Sequence, residues 1–147
     1  MVLYIGKKYT PGISVDELVD AVGLGLDLTD RDAQSELKKA GQPWELAKGF
    51  PGSAVISDFF AIDRISKLTE STFVLELDGQ VVQSGSPAQM IFDFQTLIDY
   101  VGMNFGLEPH DILYTGTPKG VGPLKQGQKA RFLMDGREWG NFVVTCQ

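Results

Sequence analysis

Apolar and polar positions alternate in short blocks along this chain, and most of the blocks have the length of a strand. Val2 to Ile5 is an apolar run stopped by Gly6, which predicts a strand with no turn or cap leading into it. Ser14-Val15-Asp16-Glu17 has the spacing of a capping box, in which the serine accepts from a backbone N–H and the glutamate reaches back. It predicts a short helix over Val15 to Ala21. Val22 to Asp27 then reads as a strand with glycines at 23 and 25. Thr29 is placed to cap a helix running to Gly41, with Asp30 and Asp32 in the first turn and Lys38 and Lys39 in the last, as the helix dipole favours.

The second half repeats the strand pattern. Phe73 to Asp78 and Gln80 to Gln83 alternate apolar and polar residues around Asp78-Gly79, a hairpin signal. Phe94, Leu97, Ile98, Val101 and Phe105 recur with helical period and predict a helix that buries this stripe. Ile112 to Tyr114 predicts a strand that runs into Thr115-Gly116-Thr117-Pro118-Lys119-Gly120-Val121-Gly122, a loop rich in turn formers. Lys129 to Met134 and Arg137 to Val144 flank Asp135-Gly136 as a second hairpin. Strands outnumber helices and neighbours read as antiparallel. The pattern predicts a β-rich α+β fold rather than a doubly wound α/β fold.

Composition narrows the function classes. The chain's 147 residues are one domain's worth and bury roughly two-thirds of the unfolded surface. Hydrophobic residues make up 43% and charged residues 22%, ordinary for a globular protein, and the net charge is −6. An acidic chain is repelled by phosphate backbones, which argues against nucleic acid as a partner. No apolar stretch approaches the roughly 20 residues that span a bilayer, and Met1 to Gly6 lacks the charged start of a signal peptide. The single cysteine, Cys146, has no partner in the chain, which suits a reducing, cytoplasmic setting.

Three segments carry candidate chemistry. Asp27 ends a predicted strand, and Arg31 and Gln34 share a face of the helix that follows. The aspartate suits a hard cation such as Mg²⁺, and the arginine and glutamine suit a substrate carboxylate or a water. The same residues also suit a capped helix with a solvated polar face. Lys48 lies in Trp44-Glu45-Leu46-Ala47-Lys48-Gly49-Phe50, an apolar and aromatic setting in which a partly desolvated ammonium can stabilise an oxyanion. A lysine stem lying along an aromatic surface with its ammonium in water fits equally. The Thr115 to Gly122 loop offers backbone N–H groups and a hydroxyl to an anion, or is a plain turn. It is not a P-loop, because Lys119 follows Pro118. His110, the only histidine, sits in a Pro- and Asp-containing turn and reads as a surface residue. There is no Cys/His cluster for zinc and no Gly-x-Ser-x-Gly elbow.

Together, and in this order, the segments resemble the fumarylacetoacetate hydrolase family. Gly25-Leu26-Asp27-Leu28-Thr29-Asp30-Arg31-Asp32-Ala33-Gln34 is similar to its Asp…Arg-Asp…Gln signature, and Gln42 to Phe50 to its catalytic-lysine segment. Asp78-Gly79 with Gln83, then Met90-Ile91-Phe92, and then Thr115 to Pro123, the most specific match, complete the series. The likeness is to the acylpyruvate hydrolase and oxaloacetate decarboxylase branch and covers essentially the whole chain, residues 1–147, as the C-terminal portion of a single catalytic domain. It implies a β-roll of mixed sheets lacking its N-terminal part, usually a homodimer or higher homo-oligomer. It implies Asp27 as a ligand of Mg²⁺ or Mn²⁺, Arg31 and Gln34 bordering a small keto-acid substrate, Lys48 facing the reacting oxygen and Thr117 binding substrate. The implied activity is metal-dependent C–C hydrolysis of an acylpyruvate-type 1,3-dicarbonyl, with decarboxylation or isomerisation of a 2-keto diacid as the alternative. Two further family ligands form a Glu-x-Glu pair whose second glutamate is expected immediately before Met1. A His and Glu pair belongs to a still earlier lid. The chain carries neither pair, so it is expected to be inactive alone, and a non-catalytic binding or assembly module is the rival reading.

Overall fold

The computed structural model describes residues 1–145, so Cys146 lies outside the described residues. The described residues form two compact units, residues 1–24 with 57–145 and residues 25–56.

In the larger unit, β1 (Val2–Ile5) lies inside a four-stranded sheet between β2 (Val19–Gly23) and β8 (Ile112–Tyr114), with β5 (Phe60–Ala61) on the far side of β2. Both neighbours run antiparallel to β1. Val2, Leu3 and Ile5 are completely buried, which is why an apolar run with little alternation forms this strand. The helix before β2 is shorter than its sequence predicts. α1 (Val15–Leu18) is a single turn, with the Glu17 carboxylate accepting from the Ser14 amide at 3.3 Å and hydroxyl at 2.8 Å. Val19 is already extended, at φ −100° and ψ 119°. Pairing with β1 buries Val19 and Val22, and that burial outweighs continuation of the helix through Ala21. The predicted strand from Val22 to Asp27 is also divided. It breaks at Leu24, and its second part, β3 (Gly25–Asp27), belongs to the smaller unit.

A second antiparallel sheet has the order β10 (Arg137–Val143), β9 (Lys129–Met134), β6 (Phe73–Leu77), β7 (Gln80–Gly85). Its hairpins are those expected from the two Asp-Gly pairs. Asp78 and Gly79 have φ of 51° and 80°, and Asp135 and Gly136 have 49° and 76°, the left-handed pair that a tight two-residue turn requires. Each turn aspartate also reaches a neighbouring segment. Asp78 accepts from the Lys129 amide at 2.9 Å and Asp135 from the Thr72 amide at 2.7 Å. Short 3₁₀ helices occupy Ile65–Glu70 and Pro87–Gln89.

α4 (Phe94–Asn104) follows the predicted period only in part. Phe94 and Ile98 are buried and Leu97 and Val101 half-buried, but Phe105 is exposed. The helix has ended before it, and Gly106 at φ 80° turns the chain away, so Phe105 never joins the stripe.

The smaller unit pairs β3 (Gly25–Asp27) antiparallel with β4 (Ala54–Ile56) and places α2 (Arg31–Ala40) and α3 (Glu45–Lys48) between them in sequence. Asp30, not Thr29, caps α2, its carboxylate accepting from the Asp32 and Ala33 amides at 3.1 and 3.0 Å. Thr29 instead bonds the Asp27 carbonyl. Gly41 ends the helix at φ 66°, as predicted.

Asp93 provides a test of the capping argument. Its carboxylate accepts from the Thr96 amide at 2.7 Å at the start of α4, and this bond holds its pKa below the usual carboxylate value. Asp93→Ala is expected to destabilise the protein by about 1 kcal/mol at neutral pH. A depressed folded pKa stabilises above the unfolded pKa and stops doing so as pH falls through the folded value. The difference between the two proteins is therefore expected to disappear in acid. Urea denaturation of both at neutral and acidic pH checks this, and a pH-independent difference would contradict it.

Candidate active site

Four of the five residues singled out by the sequence lie in the smaller unit. Asp27 is the last residue of β3, held in register opposite Ala54. Lys48 is the last residue of α3, a one-turn helix that the sequence pattern does not anticipate. A long-range backbone bond fixes that turn: the Asp30 amide donates to the Ala47 carbonyl at 3.0 Å, and Ala47 is fully buried. With Ala47 held against the start of α2, Lys48 reaches back to Asp27, and its Nζ lies 2.6 Å from Oδ2. The apolar enclosure expected around Lys48 is not closed, since Trp44 and Leu46 are 47% and 78% exposed. The lysine side chain is one-third exposed, and what it meets is a carboxylate.

Arg31 opens α2 and Gln34 follows one turn later. Arg31 Nη1 donates to Gln34 Oε1 at 3.0 Å, so both residues are on one face, as their spacing implies. The bond aligns the guanidinium while leaving most of its donors for an anion.

The larger unit holds the fifth residue. Thr117 lies in the predicted loop between β8 and β9, and that loop is pinned to β7. Gln83 Nε2 donates to Thr117 Oγ1 and to the Pro118 carbonyl, both at 3.2 Å. Gly120 has φ 101°, and a Cβ there would fall 2.5 Å from the Val82 carbonyl oxygen, so no larger residue fits this approach. Thr117 and its neighbours line a cavity of about 610 Å³ in this unit. Gln83 is the residue whose role sequence reasoning missed. It belongs to a recognised motif, but only the fold shows that it holds the loop.

His110 is exposed, in a turn, at φ 77°. Its amide donates to the Ile5 carbonyl at 2.8 Å and its Nδ1 is paired with the Tyr4 hydroxyl. A left-handed backbone is the conformation a glycine takes most easily, in keeping with the surface-turn reading.

A divalent ion needs several oxygen donors in one place. Among the described residues no three His, Cys, Asp or Glu side chains gather in a group that could hold one. Asp27 already has one oxygen on the Lys48 ammonium. The described side chains by themselves do not fit Mg²⁺ or Mn²⁺.

Comparison with known proteins supplies the family. Residues 1–140 match the model of the fumarylacetoacetate hydrolase C-terminal family. The chain is 40% identical over 131 residues to a mitochondrial oxaloacetate decarboxylase of Dictyostelium discoideum, a match that covers 86% of this chain and 59% of that protein. It is 41% identical over 123 residues to an oxaloacetate tautomerase of Escherichia coli, covering 83% of this chain and 56% of that protein. The chain thus spans less than two-thirds of the length of either relative. Among solved structures, fumarylpyruvate hydrolase of Pseudomonas aeruginosa in complex with Mn²⁺ and pyruvate superposes with a TM-score of 0.84 at 32% identity, over 95% of this chain and 60% of that one. These relatives are enzymes of keto acids, and a divalent metal occurs among them. In sequence and in fold alike, the chain belongs to the fumarylacetoacetate hydrolase family.

Proposed function

We propose that this chain forms part of an enzyme that converts a 2-keto acid through its enolate, the substrate being a 2-keto diacid of the oxaloacetate type. The observation that carries the reading is the Lys48 ammonium fixed 2.6 Å from Asp27. Decarboxylation breaks a C–C bond and sends its electrons into the keto carbonyl. Tautomerisation moves a proton between C3 and that same oxygen. Both build negative charge on one oxygen, and a preplaced cation stabilises such charge most as it develops. Lys48 holds that oxygen, and the aligned guanidinium of Arg31, with Gln34, takes a substrate carboxylate.

C–C hydrolysis of an acylpyruvate is the second reading, supported by the fumarylpyruvate hydrolase neighbour. There a water attacks the distal carbonyl, the bond to the pyruvate fragment breaks, and that fragment leaves as an enolate. Lys48 and Gln34 serve the oxyanion in the same way. We take this reading second because identity to the two oxaloacetate enzymes is somewhat higher. A divalent cation and assembly as a homodimer belong to the same proposal. The exposed Tyr100 and Met103 of α4 support the second of these.

Two measurements follow. In a form of the protein that carries the full donor set for the metal, Lys48→Ala is expected to lower turnover of oxaloacetate by about 10²–10³, the usual loss for one oxyanion stabiliser. Asp27→Asn is expected to raise the Mg²⁺ concentration needed for activity. Steady-state kinetics with Mg²⁺ titrated tests both, and near-unchanged turnover for Lys48→Ala would end its proposed role. The 147-residue chain itself is expected to bind Mg²⁺ and Mn²⁺ only weakly, because Asp27 is a single carboxylate already paired with a lysine. Calorimetry checks this, and tight one-to-one binding would contradict the donor-set argument.

A further inference from the structure

Helix starts in this chain use the capping residue's own N–H in two ways. At α1 the Ser14 amide donates to the Glu17 carboxylate at 3.3 Å, and at the 3₁₀ helix Pro87–Gln89 the Ser86 amide donates to Gln89 Oε1 at 3.1 Å. In both, the residue three places past the cap carries an acceptor that reaches back, so the helix start closes on itself. At α2 the cap is Asp30 and the corresponding residue is Ala33, whose side chain has no acceptor. The Asp30 carboxylate accepts from the Asp32 and Ala33 amides, and its carbonyl accepts from the Gln34 amide at 2.9 Å. Its N–H has no partner within α2 and donates instead to the Ala47 carbonyl of α3 at 3.0 Å.

That outward bond carries weight because packing does little to relate α2 to α3. α2 has no buried residue, and Ala47 is the one buried position in residues 25–56. A segment with so little apolar burial takes its shape from its polar links. The residue after Ala47 is Lys48, so whatever holds the Ala47 carbonyl also holds the backbone of the lysine.

We infer that Asp30 is the positioning residue for Lys48, and that the lack of an acceptor at position 33 is what leaves its N–H available for the task. An acceptor at position 33 would close a capping box, take the N–H from Ala47 and release the turn that carries Lys48, while α2 stays capped. Helix stability and lysine placement therefore move in opposite directions, which a merely structural cap would not produce. The effect on turnover rests on the reading of Lys48 as the oxyanion stabiliser, whereas the effect on the backbone does not.

The first arm of the test needs no turnover. In this chain, isotope-labelled, NMR reads the scalar coupling across the hydrogen bond from the Asp30 amide to the Ala47 carbonyl. The coupling is expected in the parent and in Ala33→Met, which has the length of glutamine without its acceptor. It is expected to vanish in Ala33→Gln, whose urea midpoint stays at or above that of Ala33→Met. Persistence of the coupling in Ala33→Gln would overturn the inference. So would its loss in Ala33→Met, because bulk at this half-buried position would then be the cause. The second arm uses the form chosen for the Lys48 kinetics. Ala33→Gln is expected to lower kcat for oxaloacetate by about 10²-fold with little change in KM, the usual result of misplacing a catalytic group, and Ala33→Met to leave both unchanged. In a Lys48→Ala background Ala33→Gln has no further effect, since it acts through the lysine. A further loss there would overturn the inference. Asp30→Pro approaches the same bond from the other side: φ of −71° at this position suits proline, which has no N–H to give. It is expected to lower kcat well below that of Asp30→Ala, which loses the carboxylate and keeps the N–H, and equal kcat values would contradict the role of the amide. If the coupling vanishes in Ala33→Gln while Lys48→Ala turns over normally, the enolate reading falls and the placement of Lys48 by Asp30 stands.

Discussion

Two hydrogen bonds between Leu24 and Ser57 set where the chain leaves its four-stranded sheet and where it returns. The Leu24 amide donates to Ser57 Oγ at 2.9 Å, and the Ser57 amide donates to the Leu24 carbonyl at 2.8 Å. Between them lie residues 25–56, an excursion whose closure costs conformational entropy that a local clamp must offset. Just inside the clamp the register continues as Gly25 opposite Ile56, Leu26 opposite Val55 and Asp27 opposite Ala54. Within its own unit, Asp27 is thus placed by the ladder opposite Ala54. Space for the clamp comes from Gly140, where an added Cβ would come within 3.0 Å of the Ser57 side chain.

On the proposed reading, the Asp27–Lys48 pair serves function through position rather than through stability. Both side chains are substantially exposed, and ion pairs of that kind contribute about 0–1 kcal/mol. A weak pair is cheap to separate. In the proposed reaction Lys48 leaves Asp27 for the developing oxyanion, while the short turn of α3 still holds its backbone through the bond between Asp30 and Ala47. Arg31 is prepared in a similar way, aligned by Gln34 without being neutralised.

What the sequence made legible was local chemistry. The Asp-Gly turns, the glycine that ends α2 and the burial of Val2 to Ile5 follow from residue type and period, and the structure has each of them. Long-range burial was not legible. Val19 and Val22 belong to a strand because β1 covers them, and nothing within Val15 to Ala21 announces this. The choice between Thr29 and Asp30 as cap turned on which side chain faces the free amides, a difference of one residue that pattern does not resolve. The site follows the same division. Arg31 and Gln34 are one turn apart and could be paired on paper, whereas Asp27 and Lys48 are 21 residues apart with a helix between them. Their meeting depends on a backbone bond to Ala47 that no spacing rule contains, and the anchoring of Thr117 by Gln83 is likewise a product of the fold.

The most direct measurement is paramagnetic broadening of the NMR spectrum by substoichiometric Mn²⁺, which detects even a weak, fast-exchanging ion at the residues it visits. If Asp27 and Lys48 form the reactive centre of this chain, signal loss begins at residues 26–28 and at Lys48 and is relieved in Asp27→Asn. Broadening centred on other carboxylates, such as Asp16 or Glu138, with residues 26–28 and 48 untouched, would contradict that assignment.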